Sequence, residues 1–105
     1  MKPIAVFTTI DDLERAQAIA TSLVERKLAA CVQISEIESV YSWQGAVQED
    51  RELRLMAKTV ADRYAEVETA IREMHTYDLP AIYAFGMREA FAPFAEWVEE
   101  NSTGD

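Results

Sequence analysis

Hydrophobic and polar positions along this chain switch between a period near two and a period near four, and the switches mark its elements. Ile4 to Thr9 is a short β-branched run of the kind that forms a buried strand. Asp11 follows with Glu14 three residues on, the spacing of an N-cap with a capping box. Leu13, Ala16, Ala20, Leu23 and Val24 then recur at helical spacing, and Ile19 widens the stripe. This helix is predicted to run to about Lys27, with Arg26 and Lys27 complementing the negative end of its dipole.

Ala30 to Trp43 reads as extended. Val32 and Ile34 hold one phase, and Ile37, Tyr41 and Trp43 take the other. That slip predicts a bulge or twist near Glu36. Gln44-Gly45 is the tight turn, after which strand character resumes at Val47. Leu53, Leu55 and Ala57 then share one face, opposite Glu52, Arg54 and Lys58. Thr59 to Met74 is a second predicted helix, with Thr59 as cap and Tyr64, Val67, Ile71 and Met74 facing the core. His75 to Pro80 is a loop, because Pro80 pushes Leu79 away from helical geometry. Ala81 to Met87 is a near-continuous apolar run and predicts a strand buried on both faces. Phe91, Phe94, Ala95 and Val98 recur helically at the end.

The order is strand-helix-strand-strand-helix-strand plus a terminal helix. An α+β split βαβ arrangement, with helices on one face of an antiparallel sheet, is the economical fold for it. Residues 1–105 form one predicted domain without linker or repeat, and 101–105, NSTGD, read as a frayed tail. The hairpin arms around Gly45 have roughly fourteen residues each, about 45 Å if straight. A compact chain of this size is about 33 Å across. The hairpin must bend or project, and a projecting one exposes aromatic surface and pairing edges that an oligomer would cover.

Composition narrows the functions. The chain has 105 residues, half of them hydrophobic, enough for one real core. Ten Lys+Arg against 19 Asp+Glu give −9, and the basic residues lie scattered from Lys2 to Arg88. This field disfavours nucleic acid and anionic membranes and suits cations. One cysteine, Cys31, excludes an intramolecular disulfide framework and any CxxC motif. The opening residues MKPIAVFTTIDD hold too short an apolar run for a secretory signal, so a cytoplasmic address is expected.

Three glycines leave no GxGxxG and no phosphate-cradling loop, and neither GxSxG nor HExxH occurs. No organic cofactor is expected. Cys31, entering a strand, is either a small buried hydrophobe or a soft ligand for copper or zinc. His75 is either a helix C-terminal cap or a pocket residue. Lys58 and Glu52 share a strand face, where a surface or cross-strand salt bridge accounts for both. Trp43 and Trp97 are packing or interface anchors, and the acidic stretch 89–105 is a solvated helix face.

Residue chemistry alone stops at a small acidic oligomeric domain. Its motifs go further. Val6-Phe7-Thr8-Thr9, Leu28-Ala29-Ala30-Cys31-Val32, Tyr41-Ser42-Trp43-Gln44-Gly45, Lys58-Thr59 and His75-Thr76-Tyr77-Asp78-Leu79-Pro80 occur in that order. In these the chain resembles the CutA family of divalent-cation tolerance proteins, from Ile4 to about Glu99. The resemblance implies a ferredoxin-like, PII-like domain in a three-fold trimer whose long hairpins pair between subunits. It also implies tolerance to divalent metals, with copper binding in particular. Carried over, the subunit cleft has Trp43, Glu52, Lys58 and Tyr77 for a ligand, and Cys31 and His75 for a metal. Two positions depart from the family's loop: Thr76 replaces a proline, and Ala81 stands where a Glu commonly follows Pro80. The expected function is a trimeric, copper-binding metal-response protein. The alternative is a PII-like signalling or scaffold trimer that takes a small anion or metabolite through Lys58 and His75. An enzyme using Lys58, His75 and Glu52 as acid-base groups ranks below both, since no cofactor motif supports it.

Overall fold

Pro3–Ile10 forms the strand, β1, on which the rest of the chain is assembled. The structure, a computed structural model, describes residues 2–105. After β1 come α1 (Leu13–Glu25), β2 (Cys31–Trp43) and β3 (Ala46–Val60). A 3₁₀ turn (Ala61–Arg63), α2 (Tyr64–Met74), β4 (Ile82–Gly86) and α3 (Ala92–Glu100) complete the order. The sheet order is β2-β3-β1-β4 with every pairing antiparallel, the split βαβ arrangement expected.

Alternation along β1 and β3 decides the layers. Val6 lies opposite Ala57 and Thr8 opposite Leu55, and this face meets Ala16, Ile19 and Leu23 of α1 and Val67, Ala70 and Ile71 of α2. Each fully buried Leu, Ile or Val here contributes about 1.5–3 kcal/mol. The other face carries Ala5, Phe7, Lys58 and Val60. Phe7 stacks on Tyr83 with ring centroids 5.3 Å apart. There α3 packs against β3 and β1, with Val98 and Val60 fully buried but outside the main cluster. Helices therefore cover both faces, not one.

Several local expectations shift by a residue or a role. Asp12, not Asp11, caps α1: its Oδ1 accepts from the N–H groups of Glu14 and Arg15 at 2.9 and 3.3 Å. The helix stops at Glu25 in a Schellman turn: Lys27 N–H donates to Val24 O, and Leu28 N–H to Leu23 O. Lys27 sits in the left-handed region (φ 55°), and Leu28 and Leu23 are both buried. Leu13 and Val24 flank the buried stripe and are about half exposed. Thr59 is no helix cap. It continues β3, fully buried, and its hydroxyl donates to Leu28 O at 2.7 Å.

The hairpin is regular. Register runs unbroken from Cys31↔Lys58 to Trp43↔Ala46, so no bulge interrupts β2 at Glu36. Gln44 and Gly45 make the two-residue turn with both φ positive (51° and 79°), as a twisted hairpin requires. The phase slip has another cause. β1 pairs with β3 only as far as Ile10↔Leu53, and beyond that the hairpin leaves its own core. Which face is apolar there is no longer set by α1 and α2. Val40 and Val47 are among the most exposed hydrophobic residues, and the long axis reaches 45 Å.

Two further expectations are corrected. β4 is an edge strand, not one buried on both faces: Tyr83 is 43% and Phe85 64% exposed, because α1 and α2 cover only the opposite side. Residues 101–105 are tied down rather than frayed. Ser102 is fully buried, Gly104 N–H donates to Lys27 O at 2.9 Å, and Asp105 pairs with Arg26 at 3.0 Å.

Candidate functional site

Three segments meet beside the outer half of the hairpin: the β1–α1 turn, residues 38–52 of the hairpin and the loop following α2. They line a cavity of about 770 Å³. Glu52 is placed there by strand alternation. It follows the face of Arg54 and Lys58, lies opposite Ile37, and is only 8% exposed. The Tyr77 hydroxyl donates to Glu52 Oε2 at 2.7 Å. Burial first, and this bond to a carboxylate second, push the Tyr77 phenol well above its ordinary range. On the neighbouring pair, the Tyr41 hydroxyl donates to Asp50 Oδ2.

His75 holds the loop in place. Tyr77 N–H donates to His75 Nδ1 at 3.1 Å, so Nε2 carries the ring hydrogen and donates to Thr9 O at 2.7 Å. That bond fastens the loop to the end of β1. The rings of His75 and Tyr77 meet edge to face, 4.7 Å between centroids. Both imidazole nitrogens are thereby engaged within the chain. His75 is the C-cap residue of α2, in extended backbone, while its ring bonds β1.

Trp43, Glu52 and Tyr77 therefore line one cavity, with His75 behind it. Lys58 and Cys31 sit elsewhere. They face each other across the β2–β3 ladder, six residues from the Ile37–Glu52 pair and so about 20 Å along the strands. Among the described residues neither Lys58 nor Glu52 forms the surface or cross-strand salt bridge expected for it. Lys58 Nζ instead lies 5.4 Å from the centroid of the Phe94 ring. Cys31 is a free, half-buried thiol. Among the described residues no three His, Cys, Asp or Glu side chains stand close enough to hold a metal ion within one chain. Ala81 does line the cavity, so a methyl group stands at the wall where the resemblance implies a carboxylate.

Sequence reading missed Tyr41 and Asp50 as site residues, along with Asp11 and Glu38, which also line the cavity. The signal for the first two was present. A two-residue turn at Gln44-Gly45 fixes Tyr41 opposite Gln48, which makes Asp50 its diagonal neighbour on the same face.

Comparisons with known proteins agree with this fold. The family described as CutA1 divalent ion tolerance protein matches residues 4–101. The divalent-cation tolerance protein CutA of Archaeoglobus fulgidus is 36% identical over 95 residues, covering 90% of this chain and 93% of the relative. That of Thermus thermophilus is 38% identical over 98 residues, covering 92% and 95%. Among solved structures, the periplasmic divalent cation tolerance protein CutA from A. fulgidus superposes with a TM-score of 0.93 at 34% identity. It covers 95% of this chain and 98% of that one. CutA1 from Oryza sativa gives 0.93 at 33%, covering 97% and 94%.

Proposed function

Because the chain belongs to the CutA1 divalent ion tolerance family, we propose that it is a homotrimeric metal-response protein that binds copper through Cys31. The observation that carries this reading is the projecting hairpin, with Val40, Tyr41, Trp43 and Val47 exposed, on a chain whose Cys31 lies about 20 Å along the strands from Glu52. Copper needs several nitrogen or sulfur donors, and one chain brings too few to one place. A neighbouring copy seated along the hairpin covers its apolar surface and carries a second chain's donors to Cys31. His75 joins such a site only by giving up its bond from Tyr77 N–H, so the thiol dominates. The charge of −9 raises the cation concentration at the surface, and sulfur supplies the preference for copper over hard ions.

The anion-binding alternative is disfavoured by the lining of the cavity. Asp11, Glu38, Asp50, Glu52 and Asp78 face it, and Lys58 does not. The acid-base enzyme reading suffers from the same separation of Lys58 from Glu52. We read the protein as a binder and not as a catalyst. A reducing compartment such as the cytoplasm suits a lone thiolate ligand. Among the described residues no helix is long and apolar enough to cross a membrane.

Copper titration followed by native mass spectrometry tests the reading. Three chains with up to one copper per chain are expected, with binding lost in Cys31→Ser and weakened less in His75→Ala. A monomer mass at micromolar concentration, or unchanged copper uptake in Cys31→Ser, would overturn it.

A further inference from the structure

α3 is a nine-residue helix in which Val98 alone is buried, and no side chain caps its N-terminus. A helix this short does not stand without packing. Its anchors on the outer face of the sheet are few. Val98 and Val60 are buried outside the main core cluster, and the Phe94 ring, stacked on Trp97, lies over the Lys58 ammonium. The core between the sheet, α1 and α2 is therefore complete without α3.

The remaining hold is the segment that follows. Gly104 N–H donates to Lys27 O at 2.9 Å, and Asp105 pairs with Arg26 at 3.0 Å on the surface. Gly104 has φ +86°, and a Cβ on it would stand 2.5 Å from Arg63 Nη1, so its backbone lies against the guanidinium. Arg63 Nε and, two residues before Gly104, Ser102 Oγ are buried without a hydrogen-bond partner among the described residues. The closed segment thus lacks two bonds that water would restore on opening. The exposed ion pair offsets little of that. Local opening starts where buried apolar contacts are few and polar groups are left short.

Cys31 shares the face on which α3 sits. It is the register partner of Lys58, and residues directly opposite project to one side with Cβ atoms about 4.5–5.5 Å apart. The Phe94–Trp97 pair therefore roofs the Lys58 ammonium beside a half-buried thiol. We propose that α3 and residues 101–105 are a latch that lifts as one unit while the core stays folded, and that its opening controls chemical access to Cys31. The latch does not depend on the copper reading. Where that reading holds, the latch sets how fast a soft metal reaches the thiol, not how many ions bind.

Cys31 is the only cysteine, so an uncharged thiol reagent reads the latch directly. With iodoacetamide the thiolate displaces iodide and forms a thioether, and mass spectrometry counts one adduct per chain. Labelling of the full chain should be slower than in the unfolded chain. It should accelerate with urea along a slope smaller than that of global unfolding. Gly104→Ala should speed it about fivefold, the scale of one net hydrogen bond. Phe94→Leu, at a partly exposed site, should speed it too. Hydrogen exchange gives a second reading. The amides of Ala95, Asn101 and Gly104 should share one opening free energy, below that of the α1 and α2 amides. Labelling as fast as in the unfolded chain, a urea slope equal to the global one, or an unchanged rate in both variants would overturn the proposal. So would labelling that slows as protein concentration rises, which assigns the cover to a neighbouring copy. No outcome requires copper to bind, so failure of the copper reading and failure of the latch are distinguishable.

Discussion

The Tyr77 hydroxyl donates to Glu52 Oε2 at 2.7 Å and so joins the loop after α2 to β3 across 25 residues of sequence. The bond gives a nearly buried carboxylate its one donor among the described residues. Tyr77→Phe keeps the ring and removes that donor. We expect stability to fall by about 1–2 kcal/mol, the range for a hydrogen bond to a charged group with some access to water. Urea unfolding would show a lower midpoint at unchanged slope. Equal midpoints would mean that water replaces the phenol at no cost.

Alkaline pH should report the same site. Three phenols are raised above their ordinary value of 10.0: Tyr77 and Tyr64 chiefly by burial, and Tyr41 chiefly by its bond to Asp50. A phenol whose folded pKa exceeds its unfolded value contributes stability in full below the unfolded value. That contribution is lost as pH climbs through the interval up to the folded value. The native protein should therefore show phenolate absorbance rising late, above about pH 10, and lose stability over that range. Tyr77→Phe should flatten the loss. Phenols that all titrate at the ordinary value in the native state would contradict the buried geometry.

Two threonines with similar burial should respond in opposite ways. Thr59 donates to Leu28 O at 2.7 Å, while Thr8 Oγ1 is buried without a partner among the described residues. Thr59→Val leaves the Leu28 carbonyl short of a donor and should cost about 1–3 kcal/mol. Thr8→Val removes an unsatisfied hydroxyl at constant shape and should be neutral or stabilising. Thermal unfolding of the two variants side by side checks the contrast.

The residues after α3 should matter for stability. Gly104 N–H meets Lys27 O, and Ser102 is fully buried. Deleting residues 102–105 should destabilise the fold by about 1 kcal/mol or more, through the lost hydrogen bond and the uncovered contact. The exposed Arg26–Asp105 pair adds little, so Asp105→Asn alone should be nearly silent. An unaffected deletion variant would return this segment to the status of a free tail.

Much of the architecture was legible in local pattern. The core face of α2 follows from spacing, because a period of 3.6 states which side of a helix is buried. Gln44-Gly45 set the hairpin register, and the motifs around Cys31, Trp43 and His75 carried the family. Boundaries were less legible. Thr59 has the chemistry of a cap, and only the carbonyl of Leu28, 31 residues away, shows its hydroxyl already spent inside the sheet. Asp11 and Asp12 are interchangeable as caps on paper, and the chain uses Asp12 for the helix while Asp11 lines the cavity.

The sequence by itself therefore determined the order of the elements, the turn, the core face of α2 and the kinship of the chain. Tertiary structure alone decided what each face is buried against. Periodicity marks an apolar side but carries no information about its partner, which is why β4 read as fully buried and lies at an edge. The same limit governs the site. Glu52 and Tyr77 meet, while Lys58 and Cys31 stand about 20 Å away along the strands, because distance in a fold is set by strand register and loop closure. Neither is written in the identity of any one residue.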